Sequence, residues 1–191
     1  MKIRFVTAED NKALLNIYAQ YIDTAITFEY SLPTEAEFLH RVKNISKDYP
    51  YLVAEDKGKI IGYAYAHKYK ERAAYQWGAE LSIYMDKTYT TKGIGKKLYS
   101  ILIEILKLQG VKTVYGFVTS PNIKSERLHN ILGFQNIGMH HNTGYKCGKW
   151  QNVQCFEKSL ANYDDNPLPV LSISEISEEQ VKLIIDRTTK E

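Results

Sequence analysis

Between residues 96 and 109, Leu98, Tyr99, Leu102, Ile105 and Leu106 recur at the three- and four-residue spacing of a single helix face. The helix has marked ends. Gly93 and Gly95 stand in the polar loop before it, and Gly110 follows its last turn, where a left-handed residue commonly stops a helix. Strand-like patterns flank it over 75–85 and 113–119. A strand, a loop, an amphipathic helix and a second strand in succession require a sheet with the helix covering one face.

The other segments extend that plan. Residues 3–6 read as a strand. Thr7 with Asp10 three places on gives a capping-box signature for a helix over 8–22, with Leu14, Ile17, Tyr18, Tyr21 and Ile22 on its apolar side. Pro33, Thr34 and Glu37 open a second helix that carries Phe38, Leu39, Val42 and Ile45, and Pro50 closes that region. Strands over 51–55 and 60–69, joined by Asp56-Lys57-Gly58-Lys59, form a hairpin. A short helix over 125–132 ends at Gly133, and strands over 134–145 and 150–160 complete the order β-α-α-β-β-β-α-β-α-β-β. The fold class is α/β (α+β), a mixed sheet with helices on its faces. Residues 1–160 read as one domain. Residues 161–191 read as an Asp-, Asn- and Pro-rich linker over 162–169 and a short amphipathic helix over 174–185, an appendage for packing or for a dimer contact.

Composition narrows the function classes. The chain has 191 residues, 44% apolar and 25% charged, the balance of an ordinary globular domain with a buried core. Its longest run free of polar side chains, 60–66, is far below the roughly 20 residues of a membrane helix, and MKIRFVTAED lacks a signal-peptide apolar region. A cytoplasmic location and no membrane contact are the expectations. A net charge of +3 is too small to argue for nucleic acid. Cys147 and Cys155 fit neither a zinc site nor a redox pair and read as buried thiols. No metal is expected, since His140-His141 lacks a third ligand; His40 and His67 are given no role. Fifteen tyrosines suit amphipathic walls around a ligand or a subunit contact.

The loop Thr90-Thr91-Lys92-Gly93-Ile94-Gly95-Lys96 can aim several N–H groups at one point beside a helix N-terminus, which suits a phosphate or pyrophosphate. On local sequence alone, a glycine-rich turn before a helix is the stronger reading. It is not a P-loop, and Leu98 occupies the place of the third glycine in a dinucleotide fingerprint.

Together with its surroundings the loop resembles the GNAT superfamily of acetyl-CoA-dependent N-acetyltransferases. The elements are Ala79-Glu80-Leu81-Ser82-Ile83-Tyr84-Met85, the loop to Gly95, Asn122 followed by Ser125, Leu128 and His129, and Leu132-Gly133-Phe134. Within it the chain is similar to the phosphinothricin N-acetyltransferase-like branch, through Ile17-Tyr18-Ala19-Gln20-Tyr21-Ile22, Tyr49-Pro50-Tyr51-Leu52-Val53-Ala54-Glu55, the Tyr75, Trp77, Ala79, Glu80 set, Arg127-Leu128-His129, and Gly144, Tyr145, Lys146, Gly148 and Trp150. Thr90 departs from the Gln or Arg usual in the loop. The resemblance implies a largely antiparallel twisted sheet flanked by helices, acetyl-CoA as co-substrate and a homodimer. It also implies a cofactor site in which the backbone of Ile83, Tyr84 and Met85 pairs with the pantetheine arm, Thr91, Lys92, Gly93, Ile94, Gly95 and Lys96 hold the pyrophosphate, and Asn122 holds the far end of the arm. Lys92, Lys96 and Lys97 would gather charge at its mouth, or else form a solvated helix face.

Acetyl transfer to an amine needs a base, because only the neutral amine is nucleophilic. Glu80 interrupts an apolar strand just ahead of the cofactor segment, and a half-buried carboxylate has a raised pKa. The resemblance implies that it is the base; the alternative is an outward-facing strand residue. His129 occupies a position that implies protonation of the leaving thiolate or a share in amine deprotonation, with a structural, helix-capping histidine as the alternative. Lys70, Arg72 and Tyr75 are suited to gripping an acceptor carboxylate, with Phe28 an aromatic wall by resemblance; exposed surface charge is the other reading of Lys70 and Arg72. The activity expected is transfer of acetyl to a small amino acid or analogue such as phosphinothricin or methionine sulfoximine. A protein or peptide N-acetyltransferase and a silent acetyl-CoA-binding module are the alternatives.

Overall fold

A computed structural model describes residues 1–90 and 93–190. Seven strands form one sheet in the order β1-β2-β3-β4-β5-β7-β6. They are β1 (Lys2–Phe5), β2 (Tyr51–Asp56), β3 (Lys59–Lys68), β4 (Gly78–Met85), β5 (Thr113–Ser120), β6 (Gln135–Lys146) and β7 (Lys149–Ser159). All neighbours run antiparallel except β4 and β5, which meet in parallel, as a connection through a helix demands. The largely antiparallel mixed sheet expected from the sequence is therefore present.

Helices α1 (Asn11–Ala19) and α2 (Glu35–Asp48) cover one face, where Leu14, Ile17, Tyr18, Phe38 and Val42 pack on Tyr51, Val53 and Tyr63. Six of the fifteen tyrosines gather here: Tyr63 and Tyr65 of β3 stack on Tyr51 of β2, and Tyr18 and Tyr21 meet Tyr84 edge-on. On the other face, α3 (Ile94–Gln109) buries Leu98, Tyr99, Ile101, Leu102, Ile105 and Leu106 against Leu52, Ala64, Leu81 and Val114, beside α4 (Ile123–Ile131). Gly110 takes the left-handed conformation at φ 88° and ends α3. The capping boxes at Thr7/Asp10 and Thr34/Glu37 both form.

Three boundaries differ from the sequence reading. The first helix unwinds after Ala19 into three-residue turns, with the N–H of Tyr21 on Tyr18 O and that of Thr24 on Tyr21 O, so residues 20–34 become a long loop. The strand expected over 75–85 starts only at Gly78. Before it, Ala73–Tyr75 is a 3-10 turn, and the Trp77 carbonyl receives the N–H groups of Lys112 and Thr113, which turns that residue towards β5. The C-terminal helix α5 spans Glu178–Lys190, and Val181 and Ile176 join the core around α3. The buried Gln109 fastens this tail, its Nε2 donating to Asp48 O and Leu171 O at 2.7 Å each. No helix among the described residues is long and apolar enough to cross a membrane.

Candidate active site

The site begins where the sheet opens. β4 and β5 are in register only at Gly78↔Thr113, Ala79↔Val114 and Glu80↔Tyr115. Beyond that point β5 stays paired with β7 as far as Ser120↔Asn152, and β4 stays paired with β3 as far as Met85↔Gly62. The two central strands therefore diverge, and residues 81–85 have no strand partner on the β5 side. A fork of this kind exposes main-chain donors and acceptors in the middle of a sheet, where an extended ligand can pair with them as an added strand.

Glu80 stands at the apex of the fork, on the α1–α2 face, with its side chain 26% exposed. Partial burial raises its pKa above the ordinary carboxylate value, partly offset by the charge of His67. His67 lies directly opposite on β3, its Nε2 3.7 Å from Glu80 Oε1. The His67 Nδ1 lies 3.0 Å from Lys68 O; a carbonyl only accepts, so Nδ1 carries the proton and Nε2 is the nitrogen turned to the carboxylate. Beside them Tyr65 is pushed up to about 12 by burial, against a hydrogen bond with Ser82. His67 received no role from the sequence; only the β3–β4 register reveals that it faces Glu80.

His129 lies on the opposite face of the same opening, in the last turn of α4, and is 1% exposed. Its ring meets Tyr99 and Phe134 edge-on at 5.7 and 4.9 Å and stacks on Phe156 at 4.9 Å. It fits beneath β5 only because residue 116 is glycine: a Cβ there would lie 2.3 Å from His129 Nε2. Nδ1 lies 2.8 Å from Ser125 O and so carries the proton, while Nε2 is buried without a partner among the described residues. Burial lowers the pKa, and the Ser125 carbonyl offsets part of that. The neutral ring thus presents a lone pair at Nε2. The helix-anchoring alternative accounts for Nδ1, and a resting proton donor for the thiolate is the role this tautomer fits least.

The cofactor candidates gather along β4 and the start of α3. Gly93, at φ 78°, is the N-cap residue of this 16-residue helix, with no side-chain cap and no acidic residue in the first turn. Its first N–H groups and positive dipole end suit an anion. Ile94 is buried, Lys96 is exposed, and Gly95 lets the helix approach β4, since a Cβ there would lie 3.2 Å from Ile83 Cδ1. Thr91 and Lys92 lie outside the described residues. Thr90 Oγ1 donates to Lys87 O at 3.3 Å and accepts from Lys124 Nζ at 3.3 Å, linking the loop to α4. Lys97 Nζ donates to Thr189 O at the end of α5. The Asn122 Oδ1 caps α4 by accepting from Ser125 N, which leaves its Nδ2 as the side-chain donor. Met85 O accepts from the Tyr21 hydroxyl, so that carbonyl already has one partner. The fork and the N-terminus of α3 together suit an extended, phosphate-bearing ligand.

The acceptor candidates fall in two groups. Lys70 Nζ sits 4.8 Å from the ring centroids of both Tyr69 and Tyr75, and Arg72 caps the exposed 3-10 turn that contains Tyr75. From there Tyr69 stacks on Tyr115 at 4.0 Å and on Phe117 at 6.1 Å, and Phe117 on His140 at 6.4 Å, an aromatic floor running past the fork on the Glu80 face. Phe28 belongs to the loop 20–34 and lies over Gly144 of β6. Among the described residues no cluster of His, Cys, Asp and Glu is disposed to hold a metal.

Residues 3–167 match the family model for the acetyltransferase (GNAT) domain. The chain belongs to the GNAT acetyltransferase family. A phosphinothricin N-acetyltransferase from Streptomyces viridochromogenes is 33% identical over 177 residues, covering 92% of this chain and 96% of that protein. An L-methionine sulfoximine/L-methionine sulfone acetyltransferase from Salmonella typhimurium is 28% identical, covering 84% and 95%. Among solved structures, a GNAT superfamily phosphinothricin acetyltransferase from Sinorhizobium meliloti, in complex with AcCoA, superimposes with a TM-score of 0.83 at 31% identity, over 90% of this chain and 97% of that one. The chain is an acetyl-CoA-dependent N-acetyltransferase, close to the phosphinothricin and methionine sulfoximine acetyltransferases.

Proposed function

We propose that this GNAT enzyme acetylates the amine of a small free amino acid or amino-acid analogue of the phosphinothricin or methionine sulfoximine kind, with Glu80 as general base. The observation that carries the reading is the fork itself, with a half-buried carboxylate of raised pKa at its apex. Acetyl-CoA, when bound, supplies the activated acetyl group. Ile83, Tyr84 and Met85 would offer it their main chain, Thr91, Lys92, Gly93, Ile94, Gly95 and Lys96 would hold its pyrophosphate, and Asn122 would hold the far end of the pantetheine arm.

On the other face, Glu80 takes a proton from the ammonium of the acceptor, directly or through water, and His67 favours the ionised carboxylate when its ring carries a proton on Nε2 as well. Lys70, Arg72 and Tyr75 match an acceptor carboxylate in charge and hydrogen bonding, which disfavours a polyamine. Phe28 closes the far wall. His129, buried and neutral, accepts a hydrogen bond at Nε2 beside the opening. A homodimer belongs to the proposal: the outermost strand β6 is long and exposed, and Ile137, Met139, Tyr145 and Trp150 on the β6–β7 hairpin offer an apolar surface to a second copy.

Thiol release from acetyl-CoA, followed across a panel of phosphinothricin, methionine sulfoximine, ordinary amino acids, spermidine and a peptide N-terminus, tests the reading. The expected result is fastest turnover with a free amino acid or analogue. Faster turnover with spermidine or the peptide overturns the acceptor class and leaves the family assignment standing.

A further inference from the structure

The loop 20–34 crosses the Glu80 face of the fork and is tied down at several places, the Arg41–Glu29 ion pair on its outer side among them. Tyr18 OH and Thr27 Oγ1 share a hydrogen bond of 2.6 Å, which fastens it to α1. Thr119 Oγ1, near the end of β5, donates to Ala25 O at 2.6 Å. A further tie is Lys146, the last residue of β6. Its side chain is buried, the residue being 6% exposed, and Nζ donates to the main-chain oxygens of Thr27, at 3.2 Å, and of Glu29. The ring of Tyr30 lies 5.7 Å from the ammonium, and the Tyr30 hydroxyl donates to Tyr145 O at 2.6 Å.

A buried ammonium is costly unless its donors are met by strong acceptors. Here they are met by two carbonyls on either side of Phe28, through charge-assisted bonds that fix main chain. The ring between them is fixed as well. It lies on Gly144, two residues before Lys146 on the same side of β6, where a Cβ would come 2.6 Å from Phe28 Cε2. The hairpin beneath is itself held in register: Cys147 and Gly148 both have positive φ, 53° and 76°, as a two-residue turn requires, and the buried Gln151 donates to Lys146 O at 2.8 Å.

We propose that Lys146 is a positioning residue for acceptor specificity, a clamp that holds Phe28 against Gly144 at the wall of the acceptor site. This rests on the placement of Phe28 beside the acceptor given above. Lys146 touches neither Glu80 nor the cofactor edge, so its loss should be felt by the acceptor alone.

The test compares steady-state kinetics of wild type and Lys146→Met, using whichever amine the panel turns over fastest. The Michaelis constant for the acceptor is expected to rise about tenfold or more, the scale of a lost hydrogen bond to a charged group, while that for acetyl-CoA stays within about twofold. Gly144→Ala leaves the buried charge in place and displaces the ring; it is expected to give the same split, and it decides the matter if Lys146→Met does not fold. An unchanged acceptor constant in a folded variant, or an equal rise in both constants, overturns the clamp. If wild type turns over no free amino acid, the acceptor reading above has failed, and hydrogen exchange over residues 23–30 then reads the clamp separately: faster exchange in Lys146→Met supports it, and unchanged protection overturns it.

Discussion

Replacing Gly116 by alanine probes the opening of the sheet at its tightest point. The added methyl would lie 2.3 Å from His129 Nε2 and 2.8 Å from Cδ2, far inside ordinary contact distance, and 3.3 Å from Cε1, just inside it. The imidazole has little freedom to yield. Its Nδ1 is held on Ser125 O at 2.8 Å, and Phe156, Phe134 and Tyr99 enclose the ring. Overpacking of a well-filled core costs about 1–3 kcal/mol. For a chain of this length each kcal/mol shifts the midpoint by roughly 2–4 °C, so a fall of roughly 2–12 °C in Tm is expected. Thermal melts and urea titrations followed by circular dichroism measure it. A double-mutant cycle with His129→Ala isolates the contact: with the ring gone, alanine at 116 should cost only a small fraction of its effect in wild type. The same loss in both backgrounds, or no loss in wild type, would show that His129 is not packed beneath Gly116.

Two further outcomes follow from the electrostatics and the cofactor loop. Asp86, held at about 2 by the Lys59 ammonium 2.9 Å away and by Thr88, against burial, contributes stability that is complete above the ordinary carboxylate value and is lost as pH falls towards 2. Asp86→Asn should therefore cost about 1–2 kcal/mol near neutrality and almost nothing near pH 2, and urea titrations at both values check this. Gly93→Val places a β-branched residue at φ 78°, where it is strained, in the turn that opens α3. A ligand at a hundred times its dissociation constant adds about 2.7 kcal/mol to a folded protein, and the variant should lose most of the rise in melting temperature that acetyl-CoA gives wild type; a full rise would remove the loop from the cofactor site.

Much of the framework was legible because it rests on local chemistry. Thr34 and Glu37 cap α2 as their spacing indicates, Gly110 ends α3 in the left-handed conformation, and Lys57-Gly58 turns the β2–β3 hairpin at positive φ. What escaped depends on contacts distant in the chain. His67 meets Glu80 only through the register of β3 on β4. The late start of β4 follows from the Trp77 carbonyl receiving the N–H groups of Lys112 and Thr113, thirty-odd residues on. The tautomer of His129 is a local exception, set by Ser125 O one helical turn earlier, and what encloses the ring comes from Tyr99, Phe134 and Phe156. Lys97 again depends on a distant contact. Its spacing put it at the mouth of the cofactor site, and its Nζ donates to Thr189 O at the end of α5.

The pH profile of Glu80→Gln bears most directly on the role of the carboxylate at the fork. A base works only when ionised, and burial raises the pKa of Glu80, so wild-type activity should fall with acidification at a higher pH than an exposed carboxylate would dictate. Rates measured from pH 5 to 9 with saturating acetyl-CoA are expected to drop about 10²- to 10⁴-fold in Glu80→Gln, most steeply at the acid end where the amine is protonated, with the acetyl-CoA thermal shift retained. A loss below tenfold across that range, or an acid limb identical to that of wild type, would contradict Glu80 as the base.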